Sequence, residues 1–353
     1  MVIQILTLPA HDKVPLEVRL CLPDKGRPEK IVVFVNGSGP QTCTTKRQMP
    51  DSSFFNYFDI FAEEFTSLNI GFCSYSQRGV RDGDTPPFFV EINEPAYRQY
   101  LPHNSVSDIQ SIVTYLNDRY PVAKLILMGW SEGTIIAPLV ALSGNVKISA
   151  LVLAGYCNEN LRDILIWQLS GNSVLTQWCR LFDYDRKGYI TETDLKEDRY
   201  HVRNAIFGDK PFSEFDRDGD GKITVVDTAP ISTPHLQNIL RAIDENDDEW
   251  LKNNHGVRLT TGWFKEHFAL KPTKEILPRL DLPIHIFSGE YDAMTPLWQA
   301  QEIDAEFKKL GKTNLTLHTF DHHDHDLNIL KYIIKKEHSD GMIAIFETVE
   351  RLN

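Results

Sequence analysis

The chain is 353 residues long, is 42% hydrophobic and carries a net charge of −12. That length and apolar share fill one large core or two moderate ones, and the acid excess, with no lysine- or arginine-rich run to reverse it locally, excludes nucleic acid and anionic membrane as natural partners. Cys21, Cys43, Cys73, Cys157 and Cys179 are odd in number, widely spread and without the close pairing of a zinc site, so they read as reduced core thiols of a cytoplasmic protein. The opening "MVIQILTLPAHDKVPLEVRLCLP" lacks a basic start followed by an apolar run, and no window approaches about 18 uninterrupted apolar residues. A chain neither exported nor membrane-embedded is expected.

In chain order, "IQILTL" and "PLEVRLCL" alternate as a half-exposed hairpin would, and "IVVFV" reads as a strand buried on both faces. "FNYFDIFAEEFTSL" has helical spacing, "GFCSYS" is strand-like, "SVSDIQSIVTYLNDRY" is an amphipathic helix, and "AKLILMGW" and "ISALVLAGYC" are further buried strands. After Cys157 this rhythm stops, to resume with "LPIHIFSGEYD", the helical "PLWQAQEIDAEFKKL", the strand "TNLTLHTF" and C-terminal helices. Strands alternating with helices predict an α/β fold with a mostly parallel sheet flanked by helices. Residues 1–157 and 278–353 must combine to finish that sheet, leaving 158–277 as a helical, charged insertion.

"LILMGWSEGT" places Gly129, Ser131 and Gly133 between a buried strand and an apolar helix. This is G-x-S-x-G in the context that gives it meaning: the glycines make room for a very tight turn that presents the serine hydroxyl at a helix N-terminus. A serine hydroxyl is a poor nucleophile at neutral pH and needs a base oriented by a carboxylate. "IHIFSGEYDAMTP" supplies Asp292 just beyond a strand, with Glu290 and Asp324 as rivals, and "LHTFDHHDHDLN" supplies His322, His323 and His325 beyond the last strand. His285, inside an apolar strand pattern, reads as a core histidine.

The insertion holds two twelve-residue loops of the calcium-binding EF-hand pattern, which draws oxygen ligands from positions 1, 3, 5, 7, 9 and 12 around a glycine at 6. From Asp216 these fall on Asp218, Asp220, the Lys222 carbonyl, Thr224 and Asp227, with Gly221 at the turn. A second copy 33 residues upstream offers Asp183, Asp185, the Tyr189 carbonyl, Thr191 and Asp194, but has Lys187 where a fifth-position ligand belongs. An ammonium cannot coordinate a cation, so this site is expected to be weaker or empty. Both loops end in aspartate, whose shorter reach lowers the expected Ca²⁺ affinity. Calcium is expected as a structural ion, with no organic cofactor.

The segments "VNGSGP", "SYSQRGV", "GWSEGT", "SGEYDAMTP" and "DHDLN" together resemble the serine α/β-hydrolase superfamily, especially bacterial esterases and related peptidases, over residues 1–157 and 278–353. The resemblance implies the α/β-hydrolase fold with a cap insertion, and the chain order serine, acid, histidine. It favours His325 as the base, because "DHDLN" matches the family pattern, and Asp292 as its orienting acid. It also implies an oxyanion hole from the Glu132 and Ser38 N–H groups. Asn36 stands where the family has histidine, which leaves the loop's anchoring to be explained, and Arg78 matches an arginine that serves structure. The predicted activity is hydrolysis of a carboxylic ester, the substrate a small-molecule ester or short peptide-like molecule. A peptidase or amidase shares the chemistry up to the acyl-enzyme, and a non-catalytic calcium-dependent interaction protein fits the intact catalytic order less well. The oligomeric state is left open.

Overall fold

The computed structural model describes residues 1–24 and 27–352. Eight strands form one sheet: β1 (Val2–Pro9), β2 (Pro15–Leu22), β3 (Lys30–Val35), β4 (Gly71–Tyr75), β5 (Lys124–Trp130), β6 (Ala150–Ala154), β7 (Ile284–Gly289) and β8 (Leu315–Phe320). Their order across the sheet is β1, β2, β4, β3, β5, β6, β7, β8. The opening hairpin is antiparallel, β2 pairs antiparallel with β4, and every later pairing is parallel.

The continuous apolar runs are central strands with helices on both faces, as side-chain alternation requires. Ile31, Val33 and Val35 of β3 and Leu125 and Leu127 of β5 point to one core, closed by helices Pro102–Arg119, Gly133–Leu142 and Leu297–Lys309. Val32, Phe34, Ile126, Met128 and Trp130 point to the other, beneath Tyr57–Ser67 and Asp340–Arg351. One expected helix is shorter than its pattern: Phe54–Asn56 pairs as a strand with Lys46–Gln48, so the helix begins at Tyr57.

Among the described residues no strand joins the main sheet between Ala154 and Ile284. The chain there runs through helices from Leu161 to Ala269, whose apolar side chains gather in two clusters apart from the two that flank the sheet. One gathers Leu236, Ile239, Ile243 and Trp263 around Tyr97 and Tyr100, and the other gathers Phe182, Ile190, Phe207 and Ile223 with Tyr291. Each cluster therefore includes side chains from outside the inserted stretch. No helix among the described residues is long and apolar enough to cross a membrane.

Candidate active site

β5 ends at Trp130, and a helix starts at Gly133. Ser131 between them takes φ of 54°, a left-handed conformation that a side-chain-bearing residue adopts only when its surroundings hold it. Ser131 N donates to Ala154 O at 3.0 Å, while Thr134 N and Oγ1 donate to Ser131 O at 2.8 and 2.7 Å. A Cβ on Gly129 would lie 2.3 Å from Gly133 O, and one on Gly133 would lie 2.0 Å from Val35 O. Both glycines thus allow strand, turn and helix to pass within backbone contact.

Asp292, 1% exposed, sits in the loop after β7. Its Oδ1 accepts from Met294 N and Thr295 N at 2.8 and 2.7 Å, and its Oδ2 from Thr295 Oγ1 at 2.8 Å. His325 Nδ1 lies 3.0 and 2.9 Å from the two carboxylate oxygens. The His325 ring packs on Gly155, where a Cβ would come within 2.5 Å of Cε1. Burial lowers the basicity of His325, but the charge and hydrogen bond of Asp292, with the charges of Asp326 and Asp324, outweigh it and push the imidazole up to about 9.

The competing groups have other partners. His323 is buried with Nδ1 2.8 Å from Asp321 O and Nε2 accepting from Gly341 N. His322 is exposed and stacks on Tyr291. Glu290 caps the His322 N–H at 3.0 Å, and Asp324 pairs with Arg180 at 2.8 Å. His285 is half-buried, 3.3 Å from His318, and desolvation depresses it to about 4.

Ser38, Ser131, Glu132 and His325 line one cavity of about 400 Å³, within the range of small-molecule sites. Among the described residues neither the Ser38 nor the Glu132 N–H donates to a backbone acceptor. The loop that carries Ser38 is anchored by two amides: Asn36 Nδ2 donates to Tyr75 O at 3.1 Å, and Gln77 Nε2 donates to Gly37 O at 3.1 Å. Arg78 is a buried fork between Asp108 and Asp12.

The Glu132 side chain forms a site of its own. It is 2% exposed, and its oxygens accept from Tyr100 Oη at 2.6 Å, Trp263 Nε1 at 3.0 Å and His267 Nε2 at 2.9 Å. His267 is fully enclosed and its Nδ1 has no partner, so the ring proton sits on Nε2. Sequence reasoning did not find this network, nor Thr295, Gln77 and Gly155. Only Thr295 had a local signal, the D-x-x-T spacing of a side chain closing its own turn.

The two loops of the insertion meet through a short antiparallel bridge, Ile190 N to Ile223 O at 3.1 Å and the reverse at 2.7 Å. In the second loop, carboxylate oxygens of Asp216, Asp218 and Asp227 converge within 4.8 Å. Asp216 Oδ1 is buried there without a hydrogen-bond partner. Asp220 turns to its own backbone, accepting from Lys222 N at 2.8 Å, and Thr224 caps the following helix. This donor set fits a hard divalent cation.

The first loop does not fit one. Lys187 Nζ lies 2.8 Å from both oxygens of Asp194 and 3.8 Å from Asp185, while Asp183 accepts from the Lys187 and Gly188 amides. Thr191 and Tyr189 hold their places, with Thr191 capping the next helix and the Lys222 ammonium 4.7 Å from the Tyr189 ring centroid. The Lys187 ammonium, the reason this loop is expected to be weaker or empty, is paired with the carboxylate at the loop's twelfth position.

Sheet order, crossovers and the serine turn define an α/β-hydrolase fold. Over 99% of its length the chain is similar to a thermostable carboxyl esterase from Bacillus coagulans (99% of that chain, 14% identity, TM-score 0.55) and to a lipase in an open form (99% of that chain, 15% identity, TM-score 0.57). It is also similar to a putative dipeptidyl aminopeptidase IV from Bacteroides ovatus, of which it spans 35%, at 14% identity and a TM-score of 0.53. No protein-family model and no curated protein sequence matches the chain.

Proposed function

We propose that the protein is a serine hydrolase that cleaves a small-molecule carboxylic ester through an acyl-enzyme on Ser131. The observation that carries this reading is the convergence, in one cavity, of a serine held at φ of 54° and a histidine whose Nδ1 is 2.9 Å from a buried aspartate. His325 takes the Ser131 proton, Ser131 attacks the carbonyl carbon, and the carbonyl π electrons move to oxygen. The Glu132 and Ser38 N–H groups receive that oxyanion. When the tetrahedral adduct collapses, the C–O bond to the alcohol breaks and His325 protonates the leaving oxygen. Water, activated by the same imidazole, then releases the acid and restores Ser131. Asp292 holds the imidazole with Nδ1 protonated, so that Nε2 is the atom that exchanges protons.

The helices between Leu161 and Ala269 serve as the cap, since Ile164, Leu165, Leu259, Trp263 and Phe264 give the cavity an apolar wall suited to an acyl chain. We assign Ca²⁺ to Asp216, Asp218 and Asp227 as a structural ion; when bound it supplies only charge neutralisation within that loop. A cytoplasmic setting agrees with five cysteines that are all free and buried.

A peptidase or amidase reading draws on one observation: Asp326 lines the cavity, where a free amine would meet its carboxyl group, although burial pushes that group up from the ordinary aspartate value. Acyl esters of graded chain length and aminoacyl amides, offered to wild type and Ser131→Ala, separate the readings. Ester turnover lost in the variant, with labelling of Ser131 by a phosphonate, is expected; full turnover by Ser131→Ala would sink the mechanism.

A further inference from the structure

The inserted segment does more than roof the cavity, because one of its helices grips both loops that carry the acid and the base. Helix Ser173–Phe182 runs directly into the first EF-hand-like loop. From its last turn, Arg180 Nη1 donates to Asp324 Oδ2 at 2.8 Å and Nη2 to Asn328 Oδ1 at 2.6 Å. Asp324 and Asn328 bracket His325 and lock to one another: Asn328 N donates to Asp324 Oδ1 at 2.8 Å, and Asp324 N to Asn328 Oδ1 at 3.2 Å.

The backbone they span turns sharply just after His325. Leu327 and Asn328 have φ of 49° and 57°; asparagine tolerates this left-handed region, whereas leucine is disfavoured in it and is held there by its surroundings. The same unit reaches the acid loop. Ser173 Oγ donates to Ala293 O, Gln168 Nε2 donates to Met294 O at 2.8 Å, and Tyr291 packs in the cluster with Phe182, Ile190 and Ile223. Beyond the helix, Arg186 pairs with Glu290 at 3.4 Å and with Asp321 at 3.2 Å, one residue from each loop.

We propose that the segment Gln168–Arg186 clamps the loops of Asp292 and His325, and that Arg180 is a positioning residue that sets the His325 ring through Asp324 and Asn328. This rests on the reading of Ser131, Asp292 and His325 as a triad. It assigns part of the insertion to the geometry of the base, whereas a lid controls only access.

The charged groups around the imidazole fix the sign of the test. Asp292 faces it from the loop after β7, Asp324 and Asp326 from its own loop, and Glu132 and Arg47 line the same cavity; Ser131, Gly155 and Thr295 add no charge. Arg180 offsets Asp324. Its removal leaves Asp324 free to hold the proton on His325, which moves the acid limb of kcat/KM to higher pH, whereas neutralising Asp324 moves that limb down.

The test compares full-length wild type with Arg180→Met, counting active sites with a phosphonate so that misfolded molecules drop out. Per titrated site, kcat is expected to fall roughly 10- to 100-fold with KM within about two-fold, as for a reacting group held out of place. The acid limb should move up, and Arg180→Lys, whose single ammonium meets one partner at a time, should recover part of kcat. An unchanged per-site kcat and acid limb would overturn the proposal. Should Arg180→Met not fold, Asp324→Asn decides: the acid limb moves down through loss of charge alone, so a lower per-site kcat on the plateau above that limb supports the clamp, and an unchanged plateau kcat refutes it. Ser131→Ala with full turnover would sink the triad reading, whereas an inert Ser131→Ala beside an unaltered Arg180→Met sinks the clamp alone.

Discussion

Glu132 lines the cavity with a backbone N–H that donates to no backbone acceptor among the described residues, and its buried carboxylate satisfies three donors. Truncation and amide replacement should therefore differ sharply. In Glu132→Ala the phenol, indole and imidazole protons lose their acceptor, and each buried orphan costs about 1–3 kcal/mol. Glu132→Gln keeps an oxygen for Trp263 and His267 and turns an amide N–H toward the phenol oxygen, which can accept it. Urea unfolding should show a loss of several kcal/mol for the first and a small one for the second; equal losses would mean the network carries little. The imidazole supplies a second expectation. Its pKa is raised by Asp292, so kcat/KM should rise with pH along a limb well above the ordinary histidine value of about 6.5. The same shift contributes stability that is complete below 6.5 and is lost as pH rises through about 9. Asp292→Asn should lower that limb, checked by pH profiles on an ester whose own hydrolysis is slow. At this scale the sequence points to Ser131, Asp292 and His325 by local pattern. The partners of Glu132 lie 32, 131 and 135 residues away, with no periodicity to announce them.

Among the elements, the strands were the most legible, since apolar runs such as "IVVFV" and "LILMGW" have no alternative to burial on both faces. The short pairings at Lys46–Gln48 and Val80–Asp82 were not legible, because three-residue strands carry too little pattern to rise above a loop. The two EF-hand-like loops share a backbone plan and differ in what neutralises them. Lys187 occupies the first with its own ammonium, against Asp194 on one side and Asp185 on the other. Lys187→Asp should convert that loop into a cation-dependent one: less stable than wild type in chelator, and regaining stability on Ca²⁺ addition by more than wild type does. Thermal unfolding with and without chelator measures both arms, and a variant indifferent to Ca²⁺ would show that the loop cannot close around an ion. Lys187→Met, which removes the charge without supplying a ligand, should lose stability in chelator and regain none of it.

At the scale of the molecule, the inserted helices and the sheet share their apolar interior and their polar ties. Tyr291, next to Asp292 in sequence, packs with Ile190 and Ile223 of the paired loops, while Tyr100, which starts on the sheet side, packs with Trp263 and shares its carboxylate acceptor. Unfolding the insertion alone would expose the apolar side chains of both clusters and strip the Glu132 carboxylate of two of its three donors, Trp263 and His267, leaving only Tyr100, so the insertion cannot open without a cost to the sheet side. The insertion and the sheet should therefore melt together. Calorimetry is expected to show one transition, which chelator moves to lower temperature without splitting, because an ion held only by the native loop stabilises everything coupled to it by mass action. Activity loss on heating should track the same transition. Two separated transitions, with the first abolishing the chelator response while ester turnover persists, would show instead that the sheet holds its catalytic loops unaided. The ties of Arg180 to Asp324 and Asn328, on either side of His325, argue against that outcome, since they add contacts from the insertion to those the sheet side supplies through Ser339 and Trp130.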